Sequence, residues 1–228
     1  MKTLAIDIGG SGIKLMVLDA DGTPLNERLR VPTPRPATPL AVVQAIGAAL
    51  AELPAFERVS VGFPGVVVDG VVFTGANFDG DWVGFPLGPE LEALTKRVVR
   101  VANDADVQGL GVVEGKGLEM VITLGTGMGS ALFLDGRLVP NLEIGHHPLR
   151  RGHTYEQYVC DAELVRIGKK KWNKRVRRVV DQLDPIFNYR LLYIGGGNAR
   201  KIEGDLPENV RIVENVAGIL GGIKLWRT

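Results

Sequence analysis

Residues 4–18 read LAIDIGGSGIKLMVL, and the same pattern of strand, glycine loop and strand returns at residues 120–134, which read MVITLGTGMGSALFL. Each apolar run is short and bounded by glycine, which is typical of a buried strand. The glycines leave the backbone N–H groups open to close approach by an anion, because no side chain stands in the way. The sequence therefore predicts two hairpins whose loops bind phosphate.

The composition is that of an ordinary globular protein. The chain has 228 residues, 45% of them hydrophobic, and a formal net charge of +1, so its bulk charge favours neither nucleic acid nor a membrane as a partner. Cys160 is its only cysteine, which excludes an internal disulfide and a zinc site of several thiolates. The chain lacks the pattern of a signal peptide, and no run approaches the roughly 20 apolar residues of a membrane span. We therefore expect a cytoplasmic protein.

The order of elements predicts a duplicated α/β fold with a mixed sheet in each half and a cleft between two domains. In the first half, after the hairpin, we expect a third strand at 26–31, a helix at 38–53, a strand at 58–63, a hairpin at 66–73, a helix at 89–96 and a strand at 98–101. A helix at 105–114 leads to the second hairpin. We place a small N-terminal domain at 1–102 plus 216–228 and a larger C-terminal domain at 103–215.

The rest of the second half is predicted with less regular structure. Residues 140–158 are polar, contain three histidines and show no period, so we expect an irregular segment. Two helices are predicted at 156–170 and 171–183, with a break near Gly168. Strands at 190–194 and 210–213 follow, and an apolar helix at 215–226 closes the fold.

Two carboxylates stand where predicted strands end. Asp7 interrupts an apolar strand, where a charge is costly unless it meets a cation or several donors; we expect Mg²⁺, bound through water, and the alternative is that Asp7 only accepts loop N–H bonds. Asp104 follows the strand at 98–101 and suits a general base of phosphoryl transfer. The alternative is that Asn103 and Asp104 cap the following helix. Asp106 lies inside that helix and is expected to compensate its dipole or orient a neighbour.

The segment 166–178 carries eight lysines and arginines and no acidic residue. A charge run is often only a solvated helix face. In a near-neutral chain, however, the absence of acidic residues favours a surface that binds a polyanion through counterion release. Inorganic polyphosphate fits because it requires charge and no base recognition, and Trp172 is then a packing residue.

These motifs, taken in order, resemble those of the ribonuclease-H-like, or actin-like, sugar kinase superfamily and specifically of its ROK family. Asp7 to Lys14 resembles the first phosphate loop, Leu124 to Gly129 the second, and Ile194 to Gly197 the nucleotide-side loop. Asn103 to Asp106 resembles the segment with the catalytic aspartate, and Glu143 to His146 resembles the sugar-binding glutamate and histidine. Within the family, the basic segment is similar to that of the polyphosphate glucokinases.

The resemblance implies a magnesium-dependent kinase that transfers a phosphoryl group from inorganic polyphosphate, ATP or both to the 6-hydroxyl of glucose, with Asp104 as the base. The implied sugar-binding residues are Asn77, Asn103, Asp104, Glu143, His146 and Glu156. The implied phosphate- and nucleotide-binding residues are Asp7, Gly9, Gly10, Ser11, Gly12, Lys14, Gly125, Thr126, Gly127, Gly195, Gly196 and Gly197. The residues expected to hold polyphosphate are Lys169, Lys170, Lys171, Lys174, Arg175 and Arg178.

The chain also departs from the family's pattern. Many members hold zinc through a histidine and a cysteine-rich loop, but residues 150–156 contain no cysteine, so we expect no zinc. Rival interpretations are an ATP-dependent kinase for another hexose or an N-acetylated amino sugar, a sugar-sensing protein without turnover, a repressor, and an ATPase without a small-molecule acceptor. A repressor needs a DNA-reading helix ahead of the first strand, where only Met1 to Thr3 stand, so no nucleic-acid partner is expected. The family often forms dimers, and a homodimer is expected here.

Overall fold

The computed structural model describes residues 1–75, 78–213 and 217–226. Its strands, in chain order, are β1 Thr3–Gly9, β2 Gly12–Leu18, β3 Leu29–Val31, β4 Arg58–Phe63, β5 Val67–Val68, β6 Val71–Val72, β7 Val98–Asn103, β8 Leu118–Leu124, β9 Met128–Leu134, β10 Arg137–Val139, β11 Pro148–Arg150, β12 His153–Thr154, β13 Leu191–Gly195 and β14 Val210–Ile212. Its α-helices are α1 Pro39–Ala49, α2 Leu87–Thr95, α3 Asp104–Val112, α4 Tyr155–Val159, α5 Asp161–Ile167, α6 Lys169–Phe187 and α7 Ala217–Lys224. Short 3₁₀ helices lie at Leu50–Glu52, Ile144–His146 and Ala199–Lys201.

The first large sheet has five strands in the order β3-β2-β1-β4-β7. The β1–β2 and β2–β3 pairs are antiparallel, whereas β4 runs parallel to both β1 and β7. Apolar side chains at alternate positions of β1, such as Leu4, Ile6 and Ile8, are buried in one core with Ile46 of α1 and Leu91 of α2. This alternation is the period of a strand with one face on a core.

The second large sheet repeats this topology in the order β10-β9-β8-β13-β14. Its first three strands are antiparallel, and β13 runs parallel to β8 and to β14. Met120 and Ile122 of β8 share a core with Trp172, Val176 and Val180, which form the apolar face of α6. The predicted duplicated α/β fold, with a mixed sheet in each half, is confirmed.

By its internal contacts the chain divides into two compact units. The first is Met1–Gly111 together with the segment that begins at Gly218, and the second is Val112–Ala217. The first unit therefore extends beyond residue 102, where the sequence places a boundary, because the start of α3 packs on β4. A Cβ placed on Gly62 would lie 3.4 Å from the Cα of Asp104.

Helix α7 completes the first unit. Ile219 and Ile223 pack against apolar side chains of β1 and β2. Ser60 of β4 donates a hydrogen bond of 2.6 Å from its Oγ to the carbonyl of Gly222 and accepts one of 2.8 Å from Nε1 of Trp226. The sequence predicts this helix at 215–226; residues 215 and 216 lie outside the described ranges, and the helix runs from Ala217 to Lys224.

The second unit corrects two predictions. The segment 140–158 is not irregular throughout, because it contains the β11–β12 hairpin and α4, which begins with a capping box between Thr154 and Gln157. The helix predicted at 156–170 is two helices, because the backbone of Cys160 is extended with φ −62° and ψ 166°. The break near Gly168 is confirmed, and this glycine has a φ of 78° that favours glycine.

Other predicted elements are present with shifted ends. The third strand is shorter than 26–31, because the Asn26 side chain accepts a hydrogen bond from the N–H of Val17 and holds the turn instead. Helix α1 ends at Ala49 and continues as a 3₁₀ turn. None of the helices in the described part of the chain has the length and the hydropathy that crossing a membrane requires.

Candidate active site

Three parallel strands bring candidate residues of the first unit to one edge of its sheet. Asp7 of β1 is the register partner of Gly62 in β4, and Gly62 is the partner of Ala102 in β7. The carboxyl ends of these strands therefore lie side by side, with Asn103 and Asp104 at the end of β7. This is the edge at which open α/β sheets bind ligands.

Asp7 forms an ion pair with Lys14 across the first hairpin. The two residues are register partners, and Nζ of Lys14 lies 2.6 Å from Oδ2 of Asp7. Both side chains are about a quarter exposed, at 26% for Lys14 and 27% for Asp7. The Asp7 carboxylate therefore has a cationic partner, as expected for a charge in an apolar strand. In the structure this partner is Lys14, whereas the sequence predicted Mg²⁺.

Asn103 and Asp104 have different surroundings. Oδ1 of Asn103 accepts hydrogen bonds from the N–H groups of Ala105 at 2.8 Å and Asp106 at 3.4 Å, and Nδ2 donates to the carbonyl of Gly65 at 3.2 Å. Asn103 is only 5% exposed, so it has the capping role that the sequence left open. Asp104 is the first residue of α3 and is partly exposed, and its Oδ1 also accepts a hydrogen bond of 2.7 Å from the N–H of Ala105.

Asn77 lies outside the described residues, but both sides of its loop are held to the end of β4. Phe78 stacks on Phe63, with ring centroids 5.7 Å apart, and Trp82 packs on the same ring at 4.9 Å. On the other side, Oγ1 of Thr74 accepts a hydrogen bond of 2.9 Å from the N–H of Val66. The chain therefore enters and leaves residues 76 and 77 from anchored positions.

In the second unit, two glycine loops pack together. The loop between β8 and β9 is closed by a hydrogen bond of 3.0 Å from the N–H of Gly125 to the carbonyl of Gly127, and Thr126 at its tip is exposed. Gly196, which follows β13, has a φ of 86°, and the carbonyl of Leu124 occupies the space that a side chain there would need. The structure thus brings Gly125 to Gly127 next to Gly195 to Gly197.

Glu143, His146 and Glu156 gather beside the loop of Gly127. Nε2 of His146 lies 3.4 Å from Oε2 of Glu143, and Oε2 of Glu156 occupies the side-chain space of Gly127. Ser130 holds the neighbouring backbone on β9, because its Oγ donates to the carbonyl of Leu142 and accepts from the N–H of Ile144. These three predicted sugar-binding residues therefore form one group.

The environment of Glu143 disfavours its charged form. Burial raises the pKa of the Glu143 carboxyl above its usual value; His146 opposes this and the Glu156 carboxylate adds to it, both by smaller amounts. Two carboxylates and an imidazole in one place offer both acceptors and donors. Such a mixture is what a ligand with several adjacent hydroxyl groups requires, because each buried hydroxyl needs a partner.

Asn198 and Asp161 brace the second glycine loop, and sequence reasoning missed both. Nδ2 of Asn198 lies 3.4 Å from the carbonyl of Gly125 and 3.2 Å from Oδ1 of Asp161, and the N–H of Asp161 donates to the same carbonyl at 2.8 Å. Asn198 is 4% exposed. In the sequence, only the position of Asn198 directly after Gly195 to Gly197 pointed to this role, because the side chain of an asparagine at a loop end commonly hydrogen-bonds backbone groups.

Much of the basic segment is paired within the second unit. Glu163 forms ion pairs of 2.6 Å with both Arg166 and Arg175, and Lys169 pairs with Glu203 at 2.6 Å. The hydrogen bond from Arg166 has the largest effect on the Glu163 carboxyl and lowers its pKa. Burial of this carboxyl has the opposite, smaller effect. Glu163 and Arg166 have the i, i+3 spacing of one helix, whereas the pairs of Arg175 and Lys169 join separate elements, which the sequence does not reveal.

Some of the other residues in the basic segment also have partners within the second unit, and three of its lysines have none among the described residues. Arg178 donates a hydrogen bond of 2.7 Å to the hydroxyl of Tyr158, whose ring also lies under the guanidinium of Arg175 at 4.3 Å. Trp172 is fully buried, and its Nε1 donates to the carbonyl of Val159 at 2.8 Å, so it is a packing residue as predicted. Within the segment 166–178, Lys170, Lys171 and Lys174 are exposed and take part in none of these contacts. Spacings of three and four residues put these lysines on one helix face.

Side chains alone form no evident metal cluster. Across the described ranges, no group of three or more His, Cys, Asp and Glu residues lies close enough to hold an ion. A magnesium ion typically takes one or two carboxylates and completes its shell with water and phosphate oxygens. Asp7, a partly exposed carboxylate at the ligand-binding edge, is chemically suited to such a site.

Comparison with known proteins gives consistent results. The model of the ROK family matches residues 3–161. The polyphosphate glucokinase of Mycobacterium leprae is 36% identical over 239 residues, which cover 96% of this chain and 73% of that protein. The polyphosphate glucokinase of Mycobacterium tuberculosis strain H37Rv is also 36% identical, over 95% of this chain and 88% of its own length.

The fold has close counterparts among solved structures. The inorganic polyphosphate/ATP-glucomannokinase of Arthrobacter sp. strain KM superposes with a TM-score of 0.89 and 37% identity, covering 99% of this chain and 98% of that one. A ROK family glucokinase of Streptomyces griseus, with 23% identity, shares the fold with a TM-score of 0.77 over 99% of both chains. Sequence motifs, strand order and these similarities agree, and the chain belongs to the ROK family.

Proposed function

We propose that this chain is a kinase that transfers a phosphoryl group from inorganic polyphosphate or ATP to the 6-hydroxyl of glucose. The observation that carries the proposal is the similarity, over nearly the whole chain, to proteins named polyphosphate glucokinase and polyphosphate/ATP-glucomannokinase. Two groupings among the described residues support it: Asp7, Asn103 and Asp104 lie at one edge of the first sheet, and Glu143, His146 and Glu156 lie beside the loop of Gly127.

Asp104 is the proposed base. As the 6-hydroxyl oxygen bonds to the terminal phosphorus, the bond from that phosphorus to the bridging oxygen breaks, and the donor leaves one phosphate shorter. The hydroxyl proton passes to the Asp104 carboxylate, which also holds the oxygen in line with the phosphorus. The partial exposure of Asp104 at the carboxyl end of β7 supports this role. Its Oδ1 shares the N–H of Ala105 with Asn103, which alone also accepts from the N–H of Asp106.

The sugar is proposed to bind Asn77, Asp104, Glu143, His146 and Glu156. Asn103 is proposed to act indirectly, because its amide holds the start of α3 and the loop at Gly65. Exclusion of water by bound sugar would limit wasteful hydrolysis of the donor.

Phosphate groups are proposed to bind the glycine loops at Gly9 to Gly12, at Gly125 to Gly127 and at Gly195 to Gly197. Lys14, held beside Asp7, supplies a positive charge at the first loop. Asp7 would hold Mg²⁺ through water, and the ion when bound neutralises charge on the donor's phosphate oxygens. Thr126 adds a hydroxyl donor at the tip of the second loop.

Polyphosphate is proposed to bind the exposed face of α6 formed by Lys170, Lys171 and Lys174. This narrows the larger set predicted from sequence, because Lys169, Arg175 and Arg178 already have partners within the protein. The cytoplasmic location, the homodimer and the absence of zinc stay predictions.

A second candidate is a kinase for another hexose or an N-acetylated amino sugar. An N-acetylmannosamine kinase of Escherichia coli is 35% identical over 68% of this chain and 54% of that protein. The polyphosphate glucokinases match a larger share of both chains, which favours glucose.

The purified protein should be assayed with glucose, mannose and N-acetylmannosamine, each with ATP and with long-chain polyphosphate, and the sugar phosphates identified by mass spectrometry. We expect glucose 6-phosphate with either donor and the highest kcat/KM for glucose. Phosphorylation of N-acetylmannosamine alone would support the second candidate and contradict the first.

A further inference from the structure

Two guanidinium groups flank the first glycine loop, and the proposed function leaves them unused. We propose that Arg30 and Arg35 form an anion site beside this loop, which holds the phosphates of a linear oligophosphate chain next to the one transferred. The inference rests on the proposed function in one respect, that the donor is such a chain.

Arg30 lies over the loop because of the sheet register. Asp7, Lys14 and Arg30 are successive register partners across β1, β2 and β3, so their side chains share one face of the sheet. From β3 the guanidinium of Arg30 reaches Gly12, where an added Cβ would lie 2.6 Å from its Nε and 3.2 Å from its Nη2.

This contact explains why residue 12 is glycine. Gly12 is a strand residue of β2 without a positive φ, so its backbone does not itself require glycine. The space that a side chain would fill is taken by the Arg30 guanidinium. The missing Cβ therefore lets a positive charge lie directly on the phosphate loop.

Arg35 reaches the same loop from the segment after β3. Its Nη2 donates a hydrogen bond of 2.9 Å to the carbonyl of Gly10, and the neighbouring Thr33 donates one of 2.5 Å from its Oγ1 to the carbonyl of Gly9. Thr33 is buried, so it fixes the segment that carries Arg35. Both guanidiniums are thus held at the loop by defined contacts.

Neither arginine has a carboxylate partner within the described ranges, and both side chains are exposed. The one carboxylate in their cross-strand row, that of Asp7, is paired with Lys14. A guanidinium has five N–H donors in a planar fork that matches phosphate oxygens, and Arg35 uses one of them on Gly10. Two unneutralised forks beside a glycine loop suit a ligand with several linked phosphates, because such a chain carries several negative charges and acceptor oxygens that both guanidiniums can meet.

The test is direct binding of inorganic tripolyphosphate, long-chain polyphosphate and ATP by titration calorimetry, with magnesium chloride present. Loss of a hydrogen bond to a charged group corresponds to about a tenfold change in affinity. The double variant Arg30→Gln/Arg35→Gln is expected to bind tripolyphosphate at least about tenfold more weakly, and to lower the salt dependence of binding by about one unit of slope per arginine.

The matched control is Lys96→Gln/Arg97→Gln, which removes two exposed charges next to the amino end of β7, at the opposite edge of the same sheet. Its affinity should stay within about twofold of the unsubstituted protein, well inside the change expected from a lost charged contact. Unchanged tripolyphosphate binding in the arginine variant, or an equal loss in the control, would overturn the inference. Should the double variant melt early, Arg35→Gln alone provides the same test, because it leaves the packing of Arg30 on Gly12 intact.

Comparison of the three ligands shows whether the arginines bind the phosphates of ATP, those of inorganic polyphosphate, or both. An equal loss for ATP and tripolyphosphate means that the site holds the linked phosphates common to both, whereas a loss for tripolyphosphate and long-chain polyphosphate without a loss for ATP means that the site holds inorganic polyphosphate only. Turnover with glucose is measured separately on the unsubstituted protein. Absent turnover with intact, arginine-dependent binding would contradict the proposed function alone, and normal turnover with arginine-independent binding would contradict the inference alone.

Discussion

Glu143 illustrates how a residue proposed to bind ligand can lower the stability of the protein that carries it. Its carboxyl is partly buried near Glu156, and this burial raises its pKa above the usual 4.5. Well below pH 4.5 the group is protonated in the folded and the unfolded states alike, so it contributes nothing to the free energy of unfolding. As the pH rises, the unfolded state loses the proton first, and the folded state becomes relatively less stable until the folded pKa has been passed.

Replacement of Glu143 by Gln should therefore stabilise the ligand-free protein at pH 7.5 and have little effect near pH 3.5. Each unit by which the pKa is raised corresponds to about 1.4 kcal/mol, and 1 kcal/mol shifts the melting temperature of a chain of this size by roughly 2–4 °C. Melting curves at both pH values test this. A variant that melts lower than the unsubstituted protein at pH 7.5 would contradict the pKa argument.

The same variant should bind glucose at least about tenfold more weakly, because an amide replaces a charged acceptor. Titration of glucose at pH 7.5 measures this. Higher stability together with weaker binding would show that the carboxylate is present for the ligand; undiminished glucose binding would remove Glu143 from the sugar site.

At the scale of elements, the second glycine loop depends on a brace that its own sequence does not contain. Asn198 and the first residue of α5 both hydrogen-bond the carbonyl of Gly125. The glycines predict the loop, but its rigidity comes from a residue more than 70 positions away in the chain. Sequence patterns describe local conformation well and give little information about such pairings.

Replacement of Asn198 by Ala should raise the KM for ATP and lower kcat, together by about tenfold in kcat/KM, while the KM for glucose changes little. One lost hydrogen bond of a buried group costs about 1–3 kcal/mol, and part of that cost falls on the position of the phosphate loop. Steady-state kinetics with each substrate varied in turn measures the effect.

Asn173→Ala is the matched control. Asn173 of α6 also braces the segment after Gly197, through the carbonyl of Lys201 and the N–H of Glu203, but it does not touch Gly125. It should lower the melting temperature without changing the KM for ATP. If both variants change the KM equally, the effect of Asn198 is one of general stability and not of loop position.

The exposed face of α6 gives a prediction about salt. Removal of Lys170, Lys171 and Lys174 by substitution with Gln should raise the KM for long-chain polyphosphate, because each lysine that contacts a phosphate releases counterions on binding. By analogy with single-stranded nucleic acid, the slope of log KM against log salt should fall by about 0.7 for each such contact. ATP kinetics should change much less.

Lys2→Gln/Lys96→Gln/Arg97→Gln removes the same number of exposed charges from the first unit and serves as the control. Its polyphosphate kinetics should match those of the unsubstituted protein. An unchanged salt slope in the α6 variant would mean that these lysines form only a solvated helix face.

For the whole molecule, the sequence predicted the architecture better than the details of the second unit. The two hairpins with their glycine loops, together with the parallel strands after them, were sufficient to predict a duplicated fold, because strand and turn signals are local. The hairpin of β11 and β12 has no such signal, since its strands contain only three and two residues. The pairing of Arg175 in the basic segment depended on Glu163, which lies in another helix.

The same limit applies to the candidate site. Asp104 and Asn103 were both predicted to serve the sugar or to cap α3, and only the structure shows that both accept from the N–H of Ala105 while Asn103 alone also accepts from that of Asp106. The contact of Arg30 with Gly12 depends on the register of β2 and β3, which a single sequence does not specify. Residue types therefore indicate the chemistry of the site, whereas register and packing decide which residue performs which role.

The central claim is that Asp104, at the carboxyl end of β7, is the base of glucose phosphorylation. The most direct measurement compares Asp104→Asn with the unsubstituted protein, in kcat with saturating ATP or polyphosphate and in glucose affinity by calorimetry. Because a positioned base contributes about 10²–10⁴-fold, we predict a loss of kcat in that range with both donors and a glucose affinity that stays within about threefold. A variant that keeps near-normal kcat while it binds glucose would contradict the account.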